Sequence, residues 1–297
     1  MQKTPALAWI MLMSLALIWG SSFILIKKGL VALTPQEVGS LRIVAASLAL
    51  LPFAFFRLKT VPKGKILPMA SVGFLGSLIP AFLFAIAQTR LNSSITGVLN
   101  TLVPIFTIIL SYFLFGQRQT RKAFLGIALG LIGTLILITS GEGGSISGIN
   151  AFALLVVLAT ICYASNLILI KRKLDDVKAL TVTSISIVMI GPFAAVFLFG
   201  FTNFGLKLST TEGIGLAVFY ISLLGVMGTS LAMIIFNKIL QMTDPLFASS
   251  VTYLIPIVAV IWGLIDGERI FLIQYFGMMA VGLGVYIANR NRAQQAE

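Results

Sequence analysis

The sequence lacks several side chains on which enzymes and metal sites depend. It contains no histidine and a single cysteine, Cys162, which lies inside an apolar run. Histidine is the commonest metal ligand and proton relay, and one cysteine can form neither an internal disulfide nor a thiolate metal site. We therefore expect no metal, no cofactor and no catalytic residues, and the composition disfavours an intramembrane enzyme.

Charged residues are also scarce, at 10% of the 297 residues, whereas soluble proteins have roughly 25%. A proton-coupled carrier usually holds a carboxylate or a histidine within the membrane. Here every acidic residue falls in a predicted loop or at the end of a predicted helix, so facilitated export or exchange is the simpler expectation. Proton coupling would have to use the solute itself or the acidic residues near the outer face, which are Glu37, Asp266 and Glu268.

Apolar residues, in contrast, make up 58% of the chain. A membrane-spanning helix needs about 20 mostly apolar residues, and ten such segments are predicted. The first resembles a signal peptide, but we interpret it as a retained helix because its repeat partner lies in the middle of the chain. The predicted bounds are 5–26, 36–56, 66–88, 93–115, 123–139, 150–170, 179–201, 213–237, 245–265 and 270–289.

The net charge of +12 comes from short basic clusters between the apolar runs. In a soluble protein this charge would suggest a nucleic-acid partner, but here its placement indicates membrane topology. About three times as many Lys and Arg fall on the side that holds both termini as on the other side, and the positive-inside rule places that side in the cytoplasm. We expect a multi-pass protein of the cell (inner or plasma) membrane with cytoplasmic termini, embedded in the lipid bilayer and without a nucleic-acid partner.

The two halves of the chain repeat each other. LIWGSSFILIKKGL begins at Leu17 and ICYASNLILIKRKL begins at Ile161, and the next four predicted helices also have partners in the same order. An odd number of helices per half makes the second half cross the membrane in the opposite direction, which is typical of secondary transporters. We predict an all-α polytopic membrane protein with ten transmembrane helices as two inverted five-helix repeats. The repeats are residues 1–141 and 148–290, followed by a short cytoplasmic tail, residues 291–297.

Several short motifs are similar to those of a known family. The first helix contains WGSSF from Trp19, followed by Lys27. Pro35 precedes the second helix and Arg42 lies within it. Pro104 and Pro256 lie in the fourth and ninth helices, and the turn Gly267-Glu268-Arg269 follows the ninth. Together they resemble the EamA-type transporters of the drug/metabolite transporter superfamily over the whole chain. The resemblance implies ten helices in two halves, and export or uptake of small organic solutes such as amino acids. The first half departs from it with Gly116-Gln117-Arg118 in place of the Gly-Glu turn.

Polar side chains inside apolar helices are costly in a membrane and therefore indicate function. A cavity walled by the first, fourth, sixth and ninth helices would be mostly apolar with a few hydrogen-bonding groups, which suits a small amphiphilic solute. A hydrogen bond between helices is the alternative role for each candidate. The candidates are Trp19 and Ser22 in the first helix, Tyr163 and Asn166 at equivalent positions in the sixth, Asn100 before Pro104, and Thr252 with Tyr253 before Pro256.

Arg42 lies inside the second predicted helix, near its outer end. Its long side chain could reach the external headgroups, or it could face the cavity and bind a solute carboxylate. The sequence leaves both alternatives open.

Two prolines and two lysines are candidates for bending and gating. Pro104 and Pro256 each remove a backbone hydrogen bond, and because they are paired across the repeat we favour a bend lining the path over a static kink. Lys27 and Lys171 end the two copies of the opening motif on opposite sides of the membrane. We predict that they mark equivalent mouths of one path.

Glycines with a spacing of four, GIALG from Gly126 and GLIDG from Gly263, allow helices to approach closely. We expect the fifth and tenth helices to pack through such glycines, either between the two halves or between protomers, so that a homodimer is one alternative.

The function predicted from the sequence is secondary transport of small organic metabolites, such as amino acids or related amphiphilic solutes, with export as the expected direction. Alternating access of the two inverted repeats would be the mechanism. The sequence contains no GxxxxGK[ST] phosphate-binding loop, which excludes ATP-driven transport by this chain alone. The alternative is a membrane channel or a scaffold without carrier activity.

Overall fold

The computed structural model describes residues 6–116, 120–140, 150–242 and 251–293, and the regular structure of these residues is helical. By length and composition, eight helices could each cross a membrane, and two further apolar helices are shorter within the described residues. We number them α1 to α10 in chain order. The apolar spans are α1 Ala6–Gly29, α2 Pro35–Thr60, α3 Ile66–Ala87, α4 Ser93–Phe115, α5 Arg121–Thr139, α6 Ala151–Lys173, α7 Ala179–Gly200, α8 Ile214–Phe236, α9 Val251–Ile265 and α10 Leu272–Ala288. Helical structure continues beyond two of these spans, to Met242 after α8 and to Ala293 after α10.

The helices lie within a few residues of the predicted segments, because each long apolar run has to satisfy its backbone hydrogen bonds internally in a membrane. The start predicted for the ninth helix, and the junction between the two predicted repeats, fall in residues 243–250 and 141–149, outside the described residues. Large apolar side chains cover the outside of the bundle, as at Phe56 and Phe113. The result is an all-α polytopic membrane protein with five helices in each inverted half.

The start of α2 shows how the sequence sets a helix boundary. Pro35 occupies the first helical position, and the Thr34 N–H donates to Glu37 Oε2 at 2.7 Å while the Glu37 N–H donates to Thr34 Oγ1 at 3.3 Å. This capping box satisfies two backbone donors that the helix leaves free. The Glu37 carboxylate also forms an ion pair of 2.8 Å with Lys207, which lies on the short helix Phe204–Thr210 between α7 and α8.

Helices that are equivalent in the repeat pack against each other. The most extensive contacts between helices join α5 with α10 and α2 with α7. Each pair takes one helix from each half, and the two helices of a pair run in opposite directions. This arrangement is expected when an approximate two-fold axis lies in the membrane plane.

The contact between α5 and α10 is made by glycine backbones. A β-carbon on Gly133 would lie 2.6 Å from the Val281 nitrogen and 2.7 Å from the Gly277 carbonyl oxygen. A β-carbon on Gly284 would lie 2.6 Å from the Gly130 Cα. The expected packing of the fifth and tenth helices is therefore present, and within the chain it joins the two halves.

Candidate functional site

Two short π-helical segments occur at corresponding places in the two halves. They are Phe74–Leu78 in α3 and Leu224–Leu231 in α8, and the repeat aligns FLGS at Phe74 with LLGV at Leu223. A π-helical turn breaks the regular hydrogen-bond ladder and is frequent at functional sites. The sequence did not predict these segments, although the aligned glycines were a signal of an irregular helix.

Each π-helical segment faces a predicted site residue of the opposite half. Trp19 of α1 donates its indole N–H to the Gly228 carbonyl oxygen in α8 at 2.9 Å. Asn166 of α6 packs so closely on Gly76 in α3 that a β-carbon there would collide with the Asn166 amide. The equivalent helices α1 and α6 thus both carry a polar or aromatic side chain onto an irregular segment of the other half.

Several buried polar side-chain atoms have no hydrogen-bond partner among the described residues. Leaving such an atom unpaired costs about 1–3 kcal/mol, so each of them is a candidate for binding a polar solute. Three belong to predicted site residues. The atoms are Arg42 Nε, Asn100 Oδ1, Asn166 Oδ1, both amide atoms of Gln88, and the hydroxyls of Ser40, Ser186 and Thr229.

The helix α6, which carries Asn166, also contacts the segment that contains Asn100. It packs against the π-helical segment Phe74–Leu78 of α3 and also against the 3-10 segment Asn100–Leu102 of α4. This 3-10 segment directly precedes Pro104, which is the second residue of the regular helix that follows. Asn100, the polar residue predicted before Pro104, therefore lies in an irregular turn that packs against α6.

Arg42 lies in the part of α2 that packs on the π-helical segment of α8. A β-carbon on Gly225 would lie 2.5 Å from the Arg42 carbonyl oxygen. The burial of the Arg42 Nε atom favours the alternative in which Arg42 faces the bundle interior. Tyr163 stacks on Phe84, with ring centroids 6.0 Å apart.

The other predicted residues occupy different surroundings. Ser22 is buried, and its hydroxyl donates to the Ile18 carbonyl oxygen at 3.2 Å. Thr252, Tyr253 and Pro256 line a cavity of about 390 Å³ between α4, α9 and α10. The residues that line this cavity do not include Arg42, Asn100 or Asn166, so the candidates form two groups.

A cluster of charges joins the ends of three helices. The Lys27 Nζ at the end of α1 lies 2.7 Å from Asp266 Oδ2 and 2.9 Å from Glu268 Oε1, and Lys28 also pairs with Asp266. The Glu268 side chain is 1% exposed. We call Lys27, Lys28, Asp266 and Glu268 the Lys27 cluster.

Glu268 binds the first residues of α4. The backbone N–H groups of Ser93 and Ser94 donate to its two oxygens at 2.8 and 3.1 Å, and their hydroxyls donate at 2.8 and 2.7 Å. A carboxylate at this position satisfies free backbone donors and interacts favourably with the helix dipole. The Glu268 carboxylate therefore caps α4 from the other half of the chain.

The Gly-Glu turn explains how Glu268 reaches α4. Gly267 has a φ of 78°, in the left-handed region. The Glu268 N–H donates to the Gly263 carbonyl oxygen at 2.9 Å, and the Gly267 N–H donates to the Leu264 carbonyl oxygen at 3.1 Å. This is the Schellman arrangement that ends a helix and reverses the chain. A β-carbon on Gly263 would collide with Ser94 and Glu268, so the spaced glycines of GLIDG make room for the carboxylate.

The same contacts hold the carboxylates ionised. Burial alone would raise the pKa of Glu268, but the hydrogen bonds from Ser94, Lys27 and Ser93 outweigh it and hold this pKa below its usual value. Hydrogen bonds from Lys27 and Lys28 lower the pKa of Asp266. A lowered pKa contributes stability that is present above the ordinary carboxylate pKa, about 4.3 for glutamate, and is lost as the pH falls through the lower folded-state pKa.

Replacing Glu268 with glutamine should lower the free energy of unfolding by about 2–3 kcal/mol at pH 7, because Lys27 loses a charged partner and the serine N–H groups lose an acceptor. The deficit should begin to shrink as the pH falls below the ordinary glutamate pKa, and it should be lost once the pH has passed the lower folded-state pKa, where the wild-type carboxylate is itself protonated. Thermal unfolding in detergent across this pH range measures both effects. Glu212→Gln, at an exposed position, is the matched control, and equal destabilisation by the two variants would contradict the capping role.

Lys171, which is equivalent to Lys27 in the repeat, has a different environment. It is exposed at the end of α6, and none of the ion pairs among the described residues includes it. Its neighbour Arg172 lies over the Phe115 ring, 3.9 Å from the ring centroid.

The sequence analysis did not predict that Glu268 caps α4, because Ser93 and Ser94 are far from Glu268 in the chain.

The helices and their contacts define a polytopic α-helical membrane protein of two inverted five-helix halves, the architecture of many secondary transporters. Residues 6–139 and residues 150–290 each match the EamA-like transporter family. The chain belongs to this family, within the drug/metabolite transporter superfamily, and is a membrane transporter.

Relatives of known name support the same class. The chain is 28% identical over 288 residues to the uncharacterized inner membrane transporter YedA of Escherichia coli strain K12, covering 93% of this chain and 90% of YedA. It is 26% identical to a probable amino-acid metabolite efflux pump of the same strain, covering 91% and 90%. It is 28% identical to an S-adenosylmethionine/S-adenosylhomocysteine transporter of Chlamydia muridarum, covering 58% and 56%.

The fold also has a counterpart of known crystal structure. That chain superimposes with a TM-score of 0.62 over 99% of both chains at 15% sequence identity. At this identity the likeness shows the fold alone.

Proposed function

We propose that the protein is a secondary transporter that exports small organic metabolites, such as amino acids or related amphiphilic solutes, by alternating access of its two inverted halves. The repeats would be residues 1–141 and 148–290, with 291–297 as a cytoplasmic tail, in the inner or plasma membrane with both termini in the cytoplasm. The observation that carries the proposal is the group of buried polar atoms without partners on helices of both halves, at Arg42, Asn100 and Asn166.

The chemistry of this group favours a solute that carries a carboxylate. Arg42 supplies a permanent positive charge and a planar fork of donors that matches a carboxylate. The buried acidic side chains among the described residues, Glu37 and Glu268, already have cationic partners at helix ends. The Tyr163 ring, which stacks on the buried Phe84 ring, is proposed to supply an apolar face for the side chain of an amphiphilic metabolite.

The names of the relatives support this class of solute. One is described as a probable amino-acid metabolite efflux pump, and another as an S-adenosylmethionine/S-adenosylhomocysteine transporter. Transfer of solute class from these proteins to this chain is part of the proposal.

The Lys27 cluster is proposed as an outer gate. It joins the ends of α1 and α4, from one half, to the turn after α9, from the other. Movement of the halves would have to separate these ends, while Pro104 and Pro256 allow α4 and α9 to bend. Lys171, at the other mouth, would remain available to a solute because its side chain is exposed.

A carrier can be separated from a channel or a scaffold by transport into proteoliposomes. A carrier shows saturable uptake of a radiolabelled amino acid, and the uptake accelerates when unlabelled solute is loaded inside. A channel gives uptake that is linear in concentration without this acceleration, and a scaffold gives none. Either of the last two results, across a panel of amino acids and amines, would overturn the proposal.

Asn100→Ala and Asn166→Ala should each reduce solute uptake about three- to tenfold, which corresponds to the loss of one hydrogen bond of about 0.5–1.5 kcal/mol. Folded protein should still be obtained, because neither amide oxygen has a hydrogen-bond partner among the described residues that the substitution would remove. Initial rates of exchange in proteoliposomes measure the effect. Asn203→Ala, at an exposed position after α7, is the control. Normal exchange by both folded variants would remove these residues from the site.

A further inference from the structure

The cavity between α4, α9 and α10 has a lining unlike that of a polar solute site. Its volume is about 390 Å³, within the range of ligand pockets. The Thr101 hydroxyl in its wall donates to the Val98 carbonyl oxygen at 2.6 Å, and Thr252 and Tyr253 also have interaction partners. The Thr101 hydroxyl is therefore already paired, and apart from these three residues the side chains of the lining are aliphatic, proline or methionine. The cavity therefore suits an apolar ligand.

The cavity opens on the side of the protein that faces the membrane. Ile257 is 54% exposed, Ile261 is 50% exposed and Met279 is 54% exposed, and all three line it. Exposed aliphatic side chains in the middle of membrane helices contact the acyl chains of lipids. The cavity is thus continuous with the lipid-facing surface of α9 and α10.

We propose that this cavity binds one acyl chain of a membrane phospholipid. An apolar cavity that opens to the bilayer gains dispersion contacts when an alkyl chain fills it, and the lining has no charged group that would hold a headgroup or a polar solute. Two methionines, Met278 and Met279, provide flexible side chains that can adapt to a chain of variable shape.

The bound chain would contact the parts of the protein that are proposed to bend. Pro256 of α9 lies in the lining. Val98 and Thr101 of α4 also line the cavity, and Asn100, which begins the 3-10 turn before Pro104, lies between them in the chain. Occupancy of the cavity would therefore depend on the bend angles of both helices. This lipid site is independent of which solute the protein transports.

Gly282 provides a direct way to fill the cavity. It lines the cavity, and a β-carbon at this position would have no atom within 4 Å. A phenylalanine there would place its ring at the cavity from a β-carbon position that meets no neighbour. Gly215 in α8 is also exposed and open around its β-carbon position, but it does not line this cavity, so Gly215→Phe is a matched control.

The proposal can be tested by adding dioleoyl phosphatidylglycerol to the purified full chain and measuring the number of bound lipid molecules per protein by native mass spectrometry. Wild type and Gly215→Phe should retain one tightly bound lipid more than Gly282→Phe, at equal thermal stability. If Gly282→Phe does not fold, Ile257→Trp narrows the same cavity from α9 and should show the same loss. Equal lipid counts in the folded variants would overturn the proposal.

Two competition arms identify the ligand chemistry. Glycerophosphoglycerol, which has the headgroup without acyl chains, should not displace the bound lipid, whereas a lipid with the same chains and a choline headgroup should. Displacement by the headgroup alone, or by a mixture of free amino acids, would assign the cavity to a polar ligand and overturn the acyl-chain assignment.

Discussion

Replacing Arg42 with methionine should reduce the exchange of a carboxylate-bearing solute by about ten- to a hundredfold. A charge-assisted hydrogen bond contributes about 1.5–3 kcal/mol, and Arg42 is the proposed partner of the solute carboxylate. The folded protein should be unchanged or slightly more stable, because a half-buried guanidinium with an unpaired Nε is replaced by an apolar side chain of similar length. Exchange in proteoliposomes and thermal unfolding of the same preparation measure the two effects.

Two further variants sharpen this test. Arg42→Lys keeps the charge but loses the planar fork, so its exchange rate should lie between those of wild type and Arg42→Met. Arg90→Met removes an exposed arginine at the end of α3 and should exchange normally. Full activity of Arg42→Met, or equal losses in Arg42→Met and Arg90→Met, would show that Arg42 does not bind the solute.

Gly284→Leu should prevent the isolation of folded protein. Even a β-carbon at Gly284 would lie 2.6 Å from the Gly130 Cα and 2.7 Å from the Gly126 carbonyl oxygen, and these are backbone atoms that cannot move aside. Inserting larger groups into a closely packed interface costs at least about 1–3 kcal/mol, and here it would separate α5 from α10, the pair with the most extensive contacts in the fold. We expect Gly284→Ala to lower the unfolding midpoint and Gly284→Leu to remove the monodisperse peak in size-exclusion chromatography.

Gly282, two residues earlier in the same helix, supplies the control for Gly284. A β-carbon at Gly282 meets open space, so Gly282→Ala should leave the unfolding midpoint within the error of the wild-type value. A Gly284→Leu variant that purifies as a stable monomer would show that the glycine contact between the halves is not required. The comparison separates loss of packing from any general effect of glycine replacement in a membrane helix.

Much of the architecture follows from the sequence because a membrane imposes few solutions. A run of about 20 apolar residues must form a helix to satisfy its backbone, and the order of matched segments reveals two copies of opposite orientation. The glycines of α5 and α10 also indicated close packing. The glycine spacing alone did not show whether this packing is between the two halves of one chain or between two protomers, since a glycine-lined face can pack against any other helix.

The details of the candidate site depend on contacts between residues far apart in the chain. The glycines in the π-helical segments of α3 and α8 indicate irregular helix, but they do not show that Trp19 and Asn166 of the opposite halves pack on these segments. The role of Glu268 likewise depends on the start of α4. A sequence shows that a carboxylate lies at the end of one helix, but it does not show which other helix that carboxylate caps.

By itself, the sequence determined that the protein is a ten-helix membrane protein of two inverted halves. The lengths of the apolar segments and the order of the repeated motifs are properties of the chain that do not depend on how the helices pack. Only the tertiary structure showed that the Arg42 Nε atom is buried, that Thr252 and Tyr253 line a cavity apart from it, and that Glu268 caps α4 while pairing with Lys27. Those outcomes depend on distances between side chains of different helices, which neither composition nor periodicity contains.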